Sequence, residues 1–170
     1  IQSVDDLKGK KIRVPSGKVL HQIMDLYGAA PVTMATTEIA TALAQGAVDM
    51  VYTSPGGWQM VGTQASHANV VPSMQISTYS VVVDRNWLDS LDPEDREIIL
   101  SATADAMAKQ WQPAMDADKA ALDDMAGKGG TVVVLSPEQV AEFKARAEPA
   151  IAGFLAAHPE ISERFEALRA

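Results

Sequence analysis

Lys11-Ile12-Arg13-Val14-Pro15, followed by Ser16-Gly17, decides how the rest of this 170-residue chain is read. Ile12 and Val14 alternate with Lys11 and Arg13, the period of a half-buried strand. Pro15 lacks the N–H that a sheet ladder needs, so it marks the strand's carboxyl end. Gly17 and the apolar positions behind it open a helix. Arg13 therefore sits near the carboxyl end of a strand in a strand–loop–helix unit, where open α/β sheets bind ligands. A guanidinium there is a fork suited to bidentate contact with a carboxylate. The alternative is a surface strand Arg paired with a Glu.

Working outward, Val19, Leu20, Ile23, Met24 and Tyr27 keep helical spacing, and Gly28 closes that helix. Ala30–Met34 reads as a second strand. Thr36 can cap the next helix, with Glu38 in its first turn, where the dipole favours an acid. Ala47–Tyr52 reads as a third strand. Strand and helix thus alternate through the first sixty or so residues, which argues a parallel sheet. After the third strand comes Thr53-Ser54-Pro55-Gly56-Gly57-Trp58. Ser54 suits an N-cap with Pro55 at the first helical position, and the glycines let backbone approach a ligand. No phosphate-loop or dinucleotide fingerprint is present. Trp58 is placed either against a ligand or, by default, in the core.

Further on, Ile76–Val83 is the longest strand candidate, alternating at first and then continuously apolar. Trp87 and Leu91 are expected to pack inward from a short helix. Asp92-Pro93-Glu94-Asp95 starts a helix of more than thirty residues, with a kink expected at Pro113. At that length it is read as a brace across two lobes. Thr131–Leu135 is a strand, and Ser136-Pro137-Glu138-Gln139 is a capping signature for a further helix. A last helix begins at Pro159.

Composition removes several classes of function. The net charge of −8 without a basic run argues against nucleic acid or an anionic membrane surface as partner. With no cysteine, disulfides, thiolate catalysis and Cys-based zinc sites are excluded. His67 has no second His or carboxylate at metal spacing, so neither a metal nor a cofactor is expected. The chain opens at Ile1 without Met or a signal peptide, which suggests a processed product or a piece of a longer chain.

Together, Asp5-Asp6-Leu7-Lys8-Gly9-Lys10-Lys11-Ile12-Arg13-Val14-Pro15, Gly28-Ala29, Pro31-Val32-Thr33-Met34, Thr37-Glu38 and Gln45-Gly46-Ala47-Val48-Asp49 resemble the extracytoplasmic solute-binding proteins of TRAP transporters, the DctP type. Trp87-Leu88, Asp92-Pro93-Glu94 and Gly130-Thr131-Val132-Val133 fit as well. The resemblance implies an α/β, type II periplasmic-binding-protein-like lobe with strand–helix repeats, plus a long C-terminal helix bracing two lobes. It implies an organization of residues 1–78 as mainly the ligand-binding second lobe, 79–130 as a connecting strand and long helix, and 131–170 as C-terminal strand and helices. The amino-terminal lobe of the family is expected to be missing.

By the same resemblance Arg13 is the ligand-anchoring Arg. Ser16, Glu38, Thr53, Ser54, Trp58 and Tyr79 complete the expected ligand-binding set. Thr53 stands where the family often has Asn, so Thr53, Ser54 or backbone N–H groups near Gly56 are expected to replace that amide. The implied function is periplasmic capture of a small organic anion and its delivery to TRAP transporter membrane subunits, without enzymatic activity. Two other readings stay open: a Ser54-based hydrolase, which needs a His and an orienting acid, and a sensing or self-associating fragment. If half the cleft is absent, exposed apolar faces favour a homodimer.

Overall fold

The computed structural model describes residues 1–61 and 64–169. Its centre is a three-stranded parallel sheet in the order β2-β1-β3. β1 (Lys11–Val14) pairs with β2 (Ala30–Thr33) on one side and with β3 (Met50–Val51) on the other. Being central, β1 is covered on both faces. Ile12, Arg13 and Val14 are all buried, and only Lys11 is exposed. The half-buried alternation read from the sequence is thus replaced by burial of both faces, Arg13 included.

α1 (Lys18–Leu26) links β1 to β2. Its end is set by Gly28, whose φ of 76° is costly for any side chain. There Ala29 N–H reaches Met24 O at 3.0 Å and Gly28 N–H reaches Asp25 O at 2.9 Å, so the last carbonyls of the helix are satisfied. α2 (Ile39–Ala44) links β2 to β3 and buries Ile39 and Ala42. β3 is shorter than the Ala47–Tyr52 expectation. Its entry is held by side-chain bonding, Lys11 N–H donating to Asp49 Oδ2 at 2.8 Å.

A second, two-stranded parallel sheet joins β4 (His67–Val70) to β5 (Thr131–Val134). Between them run α3 (Arg85–Asp89) and the 35-residue α4 (Pro93–Gly127), about 50 Å long at helical rise. α4 continues past Pro113 as one helix. α5 (Pro137–Ala157) begins with the expected capping box: Gln139 N–H donates to Ser136 Oγ at 3.3 Å, and Ser136 N–H donates to Gln139 Oε1 at 2.8 Å. α6 (Pro159–Arg169) follows.

The core lies between the Ile12/Val14 face of β1 and the helix pair α1–α5. Val4, Leu7, Met24, Phe143 and Ala147 fill it. Tyr27 meets Phe143 edge to face at 5.3 Å, and its hydroxyl donates to Phe143 O at 3.0 Å. Burial pushes that phenol's pKa well above its ordinary value.

Two expectations are corrected here. Ile76–Val83 is not a strand. It runs as irregular chain with Tyr79 at 96% and Val82 at 87% exposure, because no neighbouring strand among the described residues offers it a ladder. The connecting strand assigned within residues 79–130 is therefore not formed. Trp87 is likewise half out in solvent rather than packed inward, and Leu91 is only partly covered. Among the described residues no helix is long and apolar enough to cross a membrane.

Candidate functional site

Parallel strands place their carboxyl ends on one edge, and there β1, β3 and the loop after β3 enclose a cavity of about 390 Å³. Arg13 enters it from β1. Thr53, Ser54, Gly56 and Gly57 come from the loop, Thr36 and Ile39 from the segment after β2, and Tyr79 from the exposed run. Arg13 is the cation of this lining and the one buried charged residue among the described residues, 6% exposed.

Its bonding is incomplete. One terminal nitrogen donates to Met34 O at 3.3 Å, and Nε has no acceptor among the described residues. Arg13 has no ion pair among the described residues, so the Glu-paired surface Arg is set aside. Burial disfavours the charged form and pulls the guanidinium pKa below its ordinary value. An arginine stays protonated through such a shift, so the cavity holds a desolvated cation with a spare donor.

The loop is shaped by internal bonds. Gly57 N–H donates to Ser54 Oγ at 3.2 Å, although the short 3-10 turn Gly56–Met60 has Pro55, not the expected Ser54, at its N-cap position. Gly56 N–H donates to Asp118 Oδ1 of α4 at 3.2 Å. Both amides are thus occupied, which corrects the expectation that they are free for a ligand. The polar side-chain groups of the lining left for one, beside Arg13, are the Thr36, Thr53, Ser54 and Tyr79 hydroxyls. Gly57 has a steric reason to be glycine: a Cβ there overlaps the Thr53 hydroxyl.

The cavity brings together Arg13, Thr53, Ser54 and Tyr79 of the expected set. Ser16 is exposed and outside it. Glu38 is also exposed and outside; its Oε2 accepts Ala35 N–H at 3.0 Å, a capping role. Trp58 is half-buried and does not line the cavity. Thr36, Ile39, Val51 and Val61 were not singled out as site residues. Thr36 carried a signal, a hydroxyl just beyond the second strand, but it read equally well as a helix cap.

A second cavity of about 400 Å³ lies on the other side of the sheet, against Ile12, Ile23, Met24, Tyr52 and Phe143. No Arg or Lys lines it, so it is chemically unsuited to an anion. Tyr52, whose phenol is pushed up by burial, donates at its edge to Gln75 Oε1 at 2.6 Å. A serine hydrolase finds no support at Ser54. His21 Nε2 lies 2.6 Å from Thr33 Oγ1, His67 bonds Ser66, and His158 stacks on Phe154.

A strand–helix lobe with a buried, half-satisfied guanidinium at the carboxyl end of its central strand has the architecture of one lobe of an α/β binding-protein fold. The comparisons with known proteins place it more closely. The model of bacterial extracellular solute-binding protein family 7, DctP, matches residues 1–157, and the chain belongs to that family. It is 30% identical over 165 residues to the C4-dicarboxylate-binding periplasmic protein DctP of Rhodobacter capsulatus, covering 96% of this chain and 47% of that protein. It is 25% identical to a solute-binding protein of Chromohalobacter salexigens, over 95% of this chain and 48% of that protein.

Among solved structures, a TRAP periplasmic solute-binding protein from a Sulfitobacter species with bound β-D-galacturonate superposes with a TM-score of 0.80 at 19% identity. That match covers 96% of this chain and 54% of the other. The Shewanella oneidensis counterpart with bound succinate gives 0.79 at 22% identity, over 92% and 52%. These likenesses establish the fold as that of a TRAP-type binding protein. The chain spans about half the length of the curated relatives it matches.

Proposed function

We propose that this chain forms the anchoring half of a binding site for an organic acid, in a periplasmic protein that hands its ligand to TRAP-type membrane subunits. The single observation that carries this is Arg13: buried, without a counter-ion or an Nε acceptor among the described residues, and facing a cavity whose other walls mix hydroxyls and glycine with Ile39, Val51 and Val61. A ligand carboxylate supplies what that guanidinium lacks. The charge-assisted bonds it forms are short, and they strengthen as water is excluded. Thr36, Thr53 and Ser54 then offer hydroxyls to the remainder of the ligand. The relatives solved with galacturonate and succinate bind acids, which supports the reading.

In this reading residues 1–78 form most of the ligand-binding lobe. Residues 79–130 lead toward a facing lobe and back, and 131–170 complete the core. Closure over the ligand is a hinge motion driven by contacts that exist only in the shut state. The module binds and does not transform its ligand, and the isolated chain associates through its exposed 76–83 run.

The test is native mass spectrometry of the purified intact protein followed by isothermal titration with D-glucuronate, succinate and the uncharged amide of whichever acid binds. A retained or titrated carboxylate, with the amide at least tenfold weaker, is the expected result. Equal binding of acid and amide overturns the reading, as does failure to bind any carboxylate.

A further inference from the structure

One face of α4 carries Trp111, Met115, Asp118, Leu122 and Met125 at spacings of three and four. Its far end is buried at Ala121 and Met125, where the helix meets β5 and the Gly56–Met60 turn. Asp118 is the one charge in this row. Asp105, Asp116, Asp123 and Asp124 each bond a side chain four residues away, to Lys109, Gln112, Lys119 and Lys128. Asp118 reaches off the helix instead and accepts the Gly56 amide.

That bond falls on the middle of a loop whose entry is tied to β1 by Tyr52 N–H to Arg13 O at 2.8 Å and whose exit is buried at Val61. Residues 52–54 have no regular structure, and the turn behind them is held by Gly57 N–H to Ser54 Oγ and Trp58 N–H to Pro55 O at 3.0 Å. Both of those bonds are internal to the loop. The Asp118 contact ties it to a different element, 62 residues away in sequence. Gly56 lines the Arg13 cavity, so the tie sits at the wall of the site.

A carboxylate in this place opposes an anionic ligand through Coulomb repulsion. Its charge cannot be what the site gains from it; its geometry can. We propose that Asp118 is a positioning residue for the anion site: it pins the loop at Gly56 so that the Thr53 and Ser54 hydroxyls face the ligand, and it makes the loop's shape depend on α4. This rests on reading the Arg13 cavity as a carboxylate site.

The two contributions separate by substitution. Asp118→Asn removes the charge and keeps an acceptor oxygen; Asp118→Ala removes both. In the intact protein, titration with D-glucuronate and succinate reads affinity, and amide hydrogen exchange at Gly56 reads the pin. Asp105→Ala, on the same helix away from the loop, is the control. For each acid that the wild type binds, Asp118→Ala should weaken binding 5- to 20-fold with the melting temperature within about 2 °C, since the lost bond is solvent-exposed. Gly56 exchange should rise at least tenfold in that variant. Asp118→Asn should restore affinity to the wild-type level or above, with Gly56 protected again.

An Asp118→Ala protein that binds as tightly as wild type overturns the proposal. So does unchanged Gly56 exchange, an equal loss in both variants, or a wild type that binds neither acid. Arg13→Ala without effect on the same titrations defeats the carboxylate site while leaving the exchange result at Gly56 intact, so the two failures are told apart.

Discussion

Replacing Arg13 with Met should raise the stability of the ligand-free protein while removing ligand affinity. Arg13 is 6% exposed, makes one long bond to Met34 O at 3.3 Å and leaves Nε without an acceptor. A buried donor left unsatisfied costs about 1–3 kcal/mol, and an unpaired buried charge adds to that. Met has similar length and no donor, so the substitution removes the penalty at the expense of one weak bond. The expected gain is about 1–2 kcal/mol, or about 2–8 °C in melting temperature for a protein of this size or somewhat larger. Binding moves the other way. Truncating one partner of a buried hydrogen-bonded charge pair costs about 2–5 kcal/mol, a loss of about 30- to 4,000-fold. The assay is thermal denaturation without ligand, beside isothermal titration with the acid that the wild type binds. If Arg13→Met melts lower than wild type without ligand, the guanidinium is satisfied in the apo state and the reasoning fails. If the variant binds as tightly, the anchor lies elsewhere.

Other substitutions test the surroundings of the site. Gly57→Ala drives a methyl into the Thr53 hydroxyl and should weaken binding at least tenfold, with a stability loss of about 1–3 kcal/mol read by urea denaturation. Phe143→Ala removes the ring against Tyr27 and should cost about 3–5 kcal/mol in the same experiment. Acid sensitivity should track Asp6, whose carboxylate accepts Gln2 N–H at 2.7 Å and Ser3 N–H at 3.0 Å; these bonds hold its pKa below the ordinary value. A depressed folded-state pKa gives stability that is present above the unfolded value and lost as pH falls through the folded one. Asp6→Asn should therefore flatten the acid limb of a melting-temperature profile and lower the plateau near neutral pH, whereas superimposable profiles would remove Asp6 from the account.

Much of this was legible in the sequence because local chemistry and global fold agree. Pro15 ended β1 where expected, Gly28 closed α1, and the Ser136–Gln139 box opened α5. The place of Arg13 at a strand's carboxyl end followed from the same punctuation. What was not legible depends on partners far along the chain. Ile76–Val83 has a strand's composition, but a strand is a pairing, and no partner lies beside it among the described residues. The Arg13 face of β1 is covered by the segment after β2 and the loop after β3, at Ile39 and Val61 among others, and nothing in the strand's own sequence signals that cover, so Arg13 read as half-exposed. Glu38 and Thr36 illustrate the ambiguity of short polar residues at helix starts. Both suit a cap, and only the three-dimensional arrangement sends Thr36 to the cavity and Glu38 to Ala35 N–H. Asp118 carries no local signal, since it lies in a helix rich in acids that pair with their own neighbours.

The decisive measurement is a crystal structure of the intact protein with its bound ligand, read at Arg13 Nε. A ligand carboxylate oxygen about 2.7–2.9 Å from Nε, with a second oxygen on a terminal nitrogen of the same guanidinium, is the arrangement expected. A bound ligand that leaves Nε unpartnered, or Nε turned onto an acceptor of the protein itself, contradicts it.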